Sequence, residues 1–175
     1  RGSASVASAA VALAARIFEN LRGRHALVFG TGAMAAGIVR GIMAQGATRI
    51  SVSSRTIERA RFFCEEAGFG EPCDRKGGLE RLRDADIVLS SCEDPDPVLR
   101  AGDLADAMRR RGGRPLLIVD ISVPRSVDPA ANGIEGIFLY DIDDLQSVAE
   151  SVRQERSRAA EDCREEIRRR AAIIF

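Results

Sequence analysis

Five short apolar runs, "HALVFG", "RISVSS", "DIVLSSC", "PLLIVDIS" and "GIFLYDI", alternate with segments whose apolar residues recur at helical spacing. This alternation narrows the fold more than any other feature of the chain, because a parallel strand buried on both faces reads as an unbroken hydrophobic run and its crossover helix as an amphipathic one. The spacing predicts helices over Ser5–Leu21, from about Met34 to Gln45, over "TIERARFFCEEAGF" with Thr56 at its cap, over "GGLERLRDA", over "AGDLADAMRRRGG", and from about Ile142 to the last residue. "GEPCD" supplies one further short strand. Such intervals permit right-handed crossovers, so an α/β chain is expected, with a doubly wound, mostly parallel sheet, flanking helices and a long C-terminal helix.

The first strand breaks into Gly30-Thr31-Gly32-Ala33-Met34-Ala35 and runs straight into a helix. A lone G-x-G-x-x-[GA] is as much a tight turn as a ligand site. Placed inside a strand-helix-strand unit, it reads as the phosphate loop of a Rossmann-type dinucleotide site, in which Ala35 takes the third glycine position and governs packing rather than phosphate approach. An NAD site usually carries an acid at the end of the second strand; here the chain reads "SVSSRT". Ser54, Arg55 and Thr56 offer hydroxyls and a guanidinium, with no carboxylate before Glu58, which suits a 2′-phosphate and so NADPH.

Composition removes several other classes. The 26 basic and 26 acidic residues cancel, so neither nucleic acid nor an anionic membrane is attracted by overall charge. Lys76 is the only lysine and sits among glycines, which argues against lysine chemistry. Cys64, Cys73, Cys92 and Cys163 lack metal-ligand spacing and read as free thiols of a reducing, cytoplasmic setting, with no metal site. His25, the sole histidine, precedes the first strand, where a surface or strand-entry role is expected rather than a catalytic one. The chain has no 18-residue apolar span and no signal-peptide core, so a soluble protein without a membrane partner is expected.

Five segments, "GTGAMA", "SSRTIERA", "ADIVLSSCEDPDPVL", "LLIVDISVPRSVDP" and "GIFLYDIDDLQSV", stand in an order and spacing that resembles glutamyl-tRNA reductase. The resemblance implies an NADPH-binding domain of an enzyme that reduces glutamyl-tRNA to glutamate-1-semialdehyde for tetrapyrrole (porphyrin) synthesis. It also implies that the attacking cysteine belongs to a separate N-terminal domain outside this chain, so that the chain contains no catalytic residue and is inactive alone. Under it, residues 1–22 are a linker helix, 23–141 the NADPH-binding domain and 142–175 the start of a dimerisation helix, both ends of the chain being cut. Gly30 to Ala35 would hold the pyrophosphate, Ser54, Arg55 and Thr56 the 2′-phosphate, and Ser91 and Cys92 the ribose and nicotinamide. Asp120, Val123 and Pro124 lie where the next strand leaves the sheet, with turn geometry an equal explanation. Ala33 stands where the family often has an acid, and Cys92 where it has threonine; without a histidine partner, Cys92 is expected to be structural rather than nucleophilic.

Glu93, Asp94 and Asp96 would repel cofactor phosphates and are expected to face solvent. In the last helix Leu145, Val148, Val152, Ala159, Cys163, Ile167, Ala171 and Ile174 form a narrow stripe, with Glu165–Arg169 and Glu166–Arg170 as ion pairs beside it. The stripe suits a homodimer contact or a helix folded back on its own sheet. Arg109, Arg110, Arg111 and Arg114 are expected to be a solvated helix end rather than a tRNA contact. Two other classes stay open: an NADP-dependent dehydrogenase of the shikimate dehydrogenase type, and a module that only binds NADP.

Overall fold

The computed structural model describes residues 2–174, with side chains from residue 5 to residue 173. In chain order the elements are α1 (Gly2–Phe18), β1 (His25–Gly30), α2 (Ala33–Ala44), β2 (Arg49–Ser54), α3 (Ile57–Ala67), β3 (Glu71–Asp74) and α4 (Arg75–Arg81). They continue with β4 (Ile87–Ser91), α5 (Ala101–Arg109), β5 (Leu116–Asp120), a 3-10 turn (Pro129–Gly133), β6 (Ile137–Asp141) and α6 (Ile142–Ile174). The strands form one parallel sheet in the order β3-β2-β1-β4-β5-β6. Growth of the sheet reverses between β1 and β4, so a crevice opens at the carboxyl ends of these two strands.

Alternation along β1 splits the core between the two faces. Ala26 and Val28 join Ile38 and Ile42 of α2, Leu13 of α1 and Leu145 of α6 on one side; Leu27 and Phe29 join Leu82, Leu104 and Ile118 on the other. Burying aliphatic side chains on both faces supplies most of the folding free energy, about 1.5–3 kcal/mol for each large one.

The expected elements form, with local differences. α1 stops at Phe18 rather than Leu21, and Glu19 takes a φ of 56°, yet Leu21 is still buried in the core. α4 begins at Arg75, ahead of the Gly77-Gly78 pair, because the Asp74 carboxylate accepts a 2.8 Å hydrogen bond from Gly77 N–H and caps the helix. α6 begins where the spacing places it. Asp141 and Asp144 exchange hydrogen bonds with each other's backbone N–H groups, which satisfies two donors at the helix start.

One side-chain expectation holds only in its strand-entry form, and one is corrected. His25 opens β1 but is buried, its Nε2 2.8 Å from Ser51 Oγ and its backbone N–H bound to Asp86. Arg111 is not part of a solvated helix end. Its buried guanidinium donates to the carbonyls of Leu82, Arg83, Ala85 and Pro115, tying together chain turns that would otherwise leave acceptors unpaired. Along α6, Leu145 is fully buried, but from residue 153 to residue 173 every side chain is exposed. The expected stripe therefore touches the sheet only at its beginning, and the Ile174 side chain lies outside the described residues. Both expected ion pairs form, at 3.7 Å for Glu165–Arg169 and 2.9 Å for Glu166–Arg170.

Candidate nucleotide-binding site

A cleft of about 600 Å³ lies at the carboxyl edge of the sheet, at the ends of β1, β2, β4 and β5. Its floor is the glycine turn. Parallel register sets Gly30 beside Ser91, and a Cβ at Gly30 would stand 2.0 Å from the Ser91 carbonyl oxygen, with φ at +98°. No side chain fits there. At Gly32 a Cβ would come within 2.2 Å of Ser91 Oγ, a side-chain atom that can rotate away. Gly32 is also the N-cap of α2 and makes no side-chain cap, so the first-turn N–H groups of α2 lack the oxygen that normally serves them. An uncapped helix start at the end of a strand, with no Cβ in front of it, is a cradle for phosphate.

Thr31, Ser54, Arg55, Ser91, Cys92 and Val123 line the cleft together with the two glycines. Glu93 and Asp94 also line it, whereas the other residues expected to meet the cofactor lie elsewhere. Ala33 is exposed, Met34 is half-buried, and Ala35 is fully buried against the sheet, so these three shape the first turn of α2 rather than the cleft wall. Thr56 Oγ1 accepts from Arg59 N–H and caps α3, and Pro124 is an exposed residue of the loop after β5; neither lines the cleft.

Asp120 also lies off the wall. It is 2% exposed, and its carboxylate accepts from the N–H groups of Ser122, Ser126 and Val127 and from the Ser126 hydroxyl. With its lone pairs so engaged, it shapes the loop that carries Ser122 and Val123 into the cleft. Its place at the sheet edge, the feature legible in sequence, is the same for both roles.

Asp94 departs from expectation. Glu93 and Asp96 are exposed, but Asp94 turns inward: Arg55 Nε and Nη2 reach its Oδ1 at 2.8 and 2.6 Å, and Arg75 Nη2 reaches Oδ2 at 3.4 Å. The repulsion that argued for solvent is outweighed by two guanidiniums the linear sequence keeps 19 and 39 residues away. Arg75, together with Arg59 and Ser122, also lines the cleft and was missed. Arg59 had a signal, since it follows Arg55 by four residues in the first turn of α3. Arg75 had none, because only the pairing of β2 with β3 brings α4 to this edge.

Cys92 is 5% exposed, and burial pushes its thiol up from the ordinary value. A thiol held protonated is a poor nucleophile, in keeping with a packing role. Among the described residues no cluster of three His, Cys, Asp or Glu is placed to hold a metal, and no helix is long and apolar enough to cross a membrane.

Comparison with known proteins agrees with this geometry. The family model described as Shikimate / quinate 5-dehydrogenase matches residues 12–148. A glutamyl-tRNA reductase of Syntrophobacter fumaroxidans is 42% identical over 162 residues, covering 90% of this chain and 34% of the relative. The solved glutamyl-tRNA reductase of Methanopyrus kandleri superposes with a TM-score of 0.81 at 32% identity, covering 90% of this chain and 39% of that one. The nucleotide-binding domain of the Thermoplasma volcanium enzyme, at 14% identity and a TM-score of 0.65, shares the fold and is covered over 96% of its length. The chain thus spans about a third of the length of the curated relatives it matches. By sequence it belongs to the Shikimate / quinate 5-dehydrogenase family, and over most of its length it is similar to about a third of the length of the glutamyl-tRNA reductases.

Proposed function

We propose that this chain is the NADPH-binding part of an enzyme that reduces glutamyl-tRNA to glutamate-1-semialdehyde in tetrapyrrole synthesis, with residues 23–141 as the binding domain. The observation that carries the reading is the side-chain-free floor at Gly30 and Gly32 in front of the uncapped start of α2, with arginines on the adjoining wall. The residues present suit a dinucleotide, since a side chain at Gly30 is excluded by Ser91, Gly32 carries none, and the backbone N–H groups at the start of α2 are left open to a phosphate. When bound, NADPH supplies the hydride. The chain's own residues do the positioning: the α2 N–H groups face the pyrophosphate, and Ser54 and Arg55 at the end of β2 meet the 2′-phosphate. Ser91, Cys92 and Val123 border the ribose and nicotinamide.

The acyl-accepting thiol belongs to another domain of the parent protein, glutamyl-tRNA being the substrate of the whole. α6 beyond Val152, from residues 142–175 of the dimerisation segment, offers its exposed Ile167 and Ile173 to a second copy. The four free thiols accord with a cytoplasmic protein. A shikimate-type dehydrogenase is favoured by membership of the Shikimate / quinate 5-dehydrogenase family alone.

Titration of the chain with NADPH and NADH tests the reading. NADPH should bind at least ~10-fold more tightly at low salt, because a planar guanidinium and hydroxyl donors answer a charged phosphate. Arg55→Ala should remove most of that preference and leave NADH nearly unchanged. Equal affinities in the unaltered chain, or loss of both cofactors in Arg55→Ala, would overturn it.

A further inference from the structure

We propose that Asp94 sets how strongly this domain discriminates 2′-phosphorylated from plain dinucleotides, by holding the two arginines that a 2′-phosphate would otherwise take. The proposal rests on the cofactor reading above and adds a residue and a direction to it. Arg55 follows β2, Arg75 opens α4, and Asp94 follows β4, so the Arg55–Asp94–Arg75 bridge runs from one lip of the cleft to the other. One carboxylate oxygen receives two donors from Arg55, and the second receives Arg75 Nη2. Arg75 Nε is buried without a hydrogen-bond partner among the described residues, which leaves one donor of the pair unused by the carboxylate. Arg59, also on the wall, is in no ion pair among the described residues.

A carboxylate carries one charge and two oxygens, whereas a 2′-phosphate carries up to two charges and three oxygens. The phosphate therefore replaces Asp94 on the guanidiniums, and the displaced carboxylate becomes a like charge beside it. Both effects weaken binding of the phosphorylated cofactor relative to a cleft without the acid. NADH has no phosphate to place there and is indifferent to the exchange. The Arg55 side chain is 53% exposed, so solvent screening keeps the effect modest.

The test is titration of the full chain and of Asp94→Asn with NADPH, NADH, 2′,5′-ADP and 5′-AMP. In Asp94→Asn, NADPH and 2′,5′-ADP should tighten about three- to tenfold, while NADH and 5′-AMP change less than about twofold. Asp94→Ser, which removes the charge with a different shape, should act in the same direction, and thermal melts verify that both variants fold. Unchanged or weaker NADPH binding, or equal tightening of all four ligands, would overturn the role of Asp94. If the unaltered chain binds 2′,5′-ADP no better than 5′-AMP, the cofactor reading itself falls and this proposal with it. If it prefers 2′,5′-ADP and Asp94→Asn leaves that preference unchanged, only the role of Asp94 is lost.

Discussion

Gly30 and Gly32 look alike in sequence, but the structure asks different things of them. At Gly30 the left-handed backbone and the Ser91 carbonyl both exclude a side chain, so Gly30→Ala should cost about 2–4 kcal/mol, read as a lower urea midpoint. Gly32→Ala meets only the mobile Ser91 hydroxyl and should fold with a loss below about 1 kcal/mol while NADPH affinity falls at least ~10-fold. The reverse pattern, with Gly32→Ala unfolded and Gly30→Ala intact, would contradict these contacts. His25 carries a pH signature. Burial, followed by the charge of Arg49, lowers its folded pKa below the ordinary 6.5, so the unfolded chain takes up the proton more readily. Its contribution is therefore complete above about 6.5 and is lost as pH falls through the folded value. Urea midpoints at pH 7.5 and pH 5.5 should differ more in the unaltered chain than in His25→Gln.

Local chemistry starts the helices, but distant groups finish them. Thr56 before α3 and Asp141 before α6 are caps that can be read from sequence, because the capping atom lies within three residues of its partner. Arg111 is the opposite case. It follows α5 but serves Leu82, Arg83 and Ala85, which come after α4, so a cluster of arginines that reads as a solvated end includes a buried tie between two connections. Arg111→Ala should lower stability by about 2–4 kcal/mol in urea unfolding, since several buried carbonyls lose a charged donor at once. Arg111→Lys should recover less than half of this, as one ammonium cannot span carbonyls on both sides of a planar fork. Full rescue by lysine would show that charge alone, not the fork, matters here.

At the scale of the molecule, α6 joins two regimes in one helix. Its first turns pack into the core through Leu145 and Val148, whereas residues 153 to 173 are all exposed. Ending the chain after Arg153 should change the unfolding free energy by no more than about 0.5 kcal/mol, and any self-association seen in sedimentation should disappear. A large loss of stability would mean that the outer helix packs on the domain after all. The alternation of buried runs and amphipathic segments, the glycine turn and the order of elements were settled by sequence alone, because each depends on periodicity or on partners a few residues apart. Tertiary structure alone decided the charge chemistry of the cleft: Asp94 meets Arg55 and Arg75, and Asp120 turns to its own loop instead of the ligand edge. A pattern of apolar residues says which face of an element is covered, but which charges meet across two loops depends on strand order and register, and in this sheet β1 sits between the strands that carry Arg55 and Asp94 to the same edge.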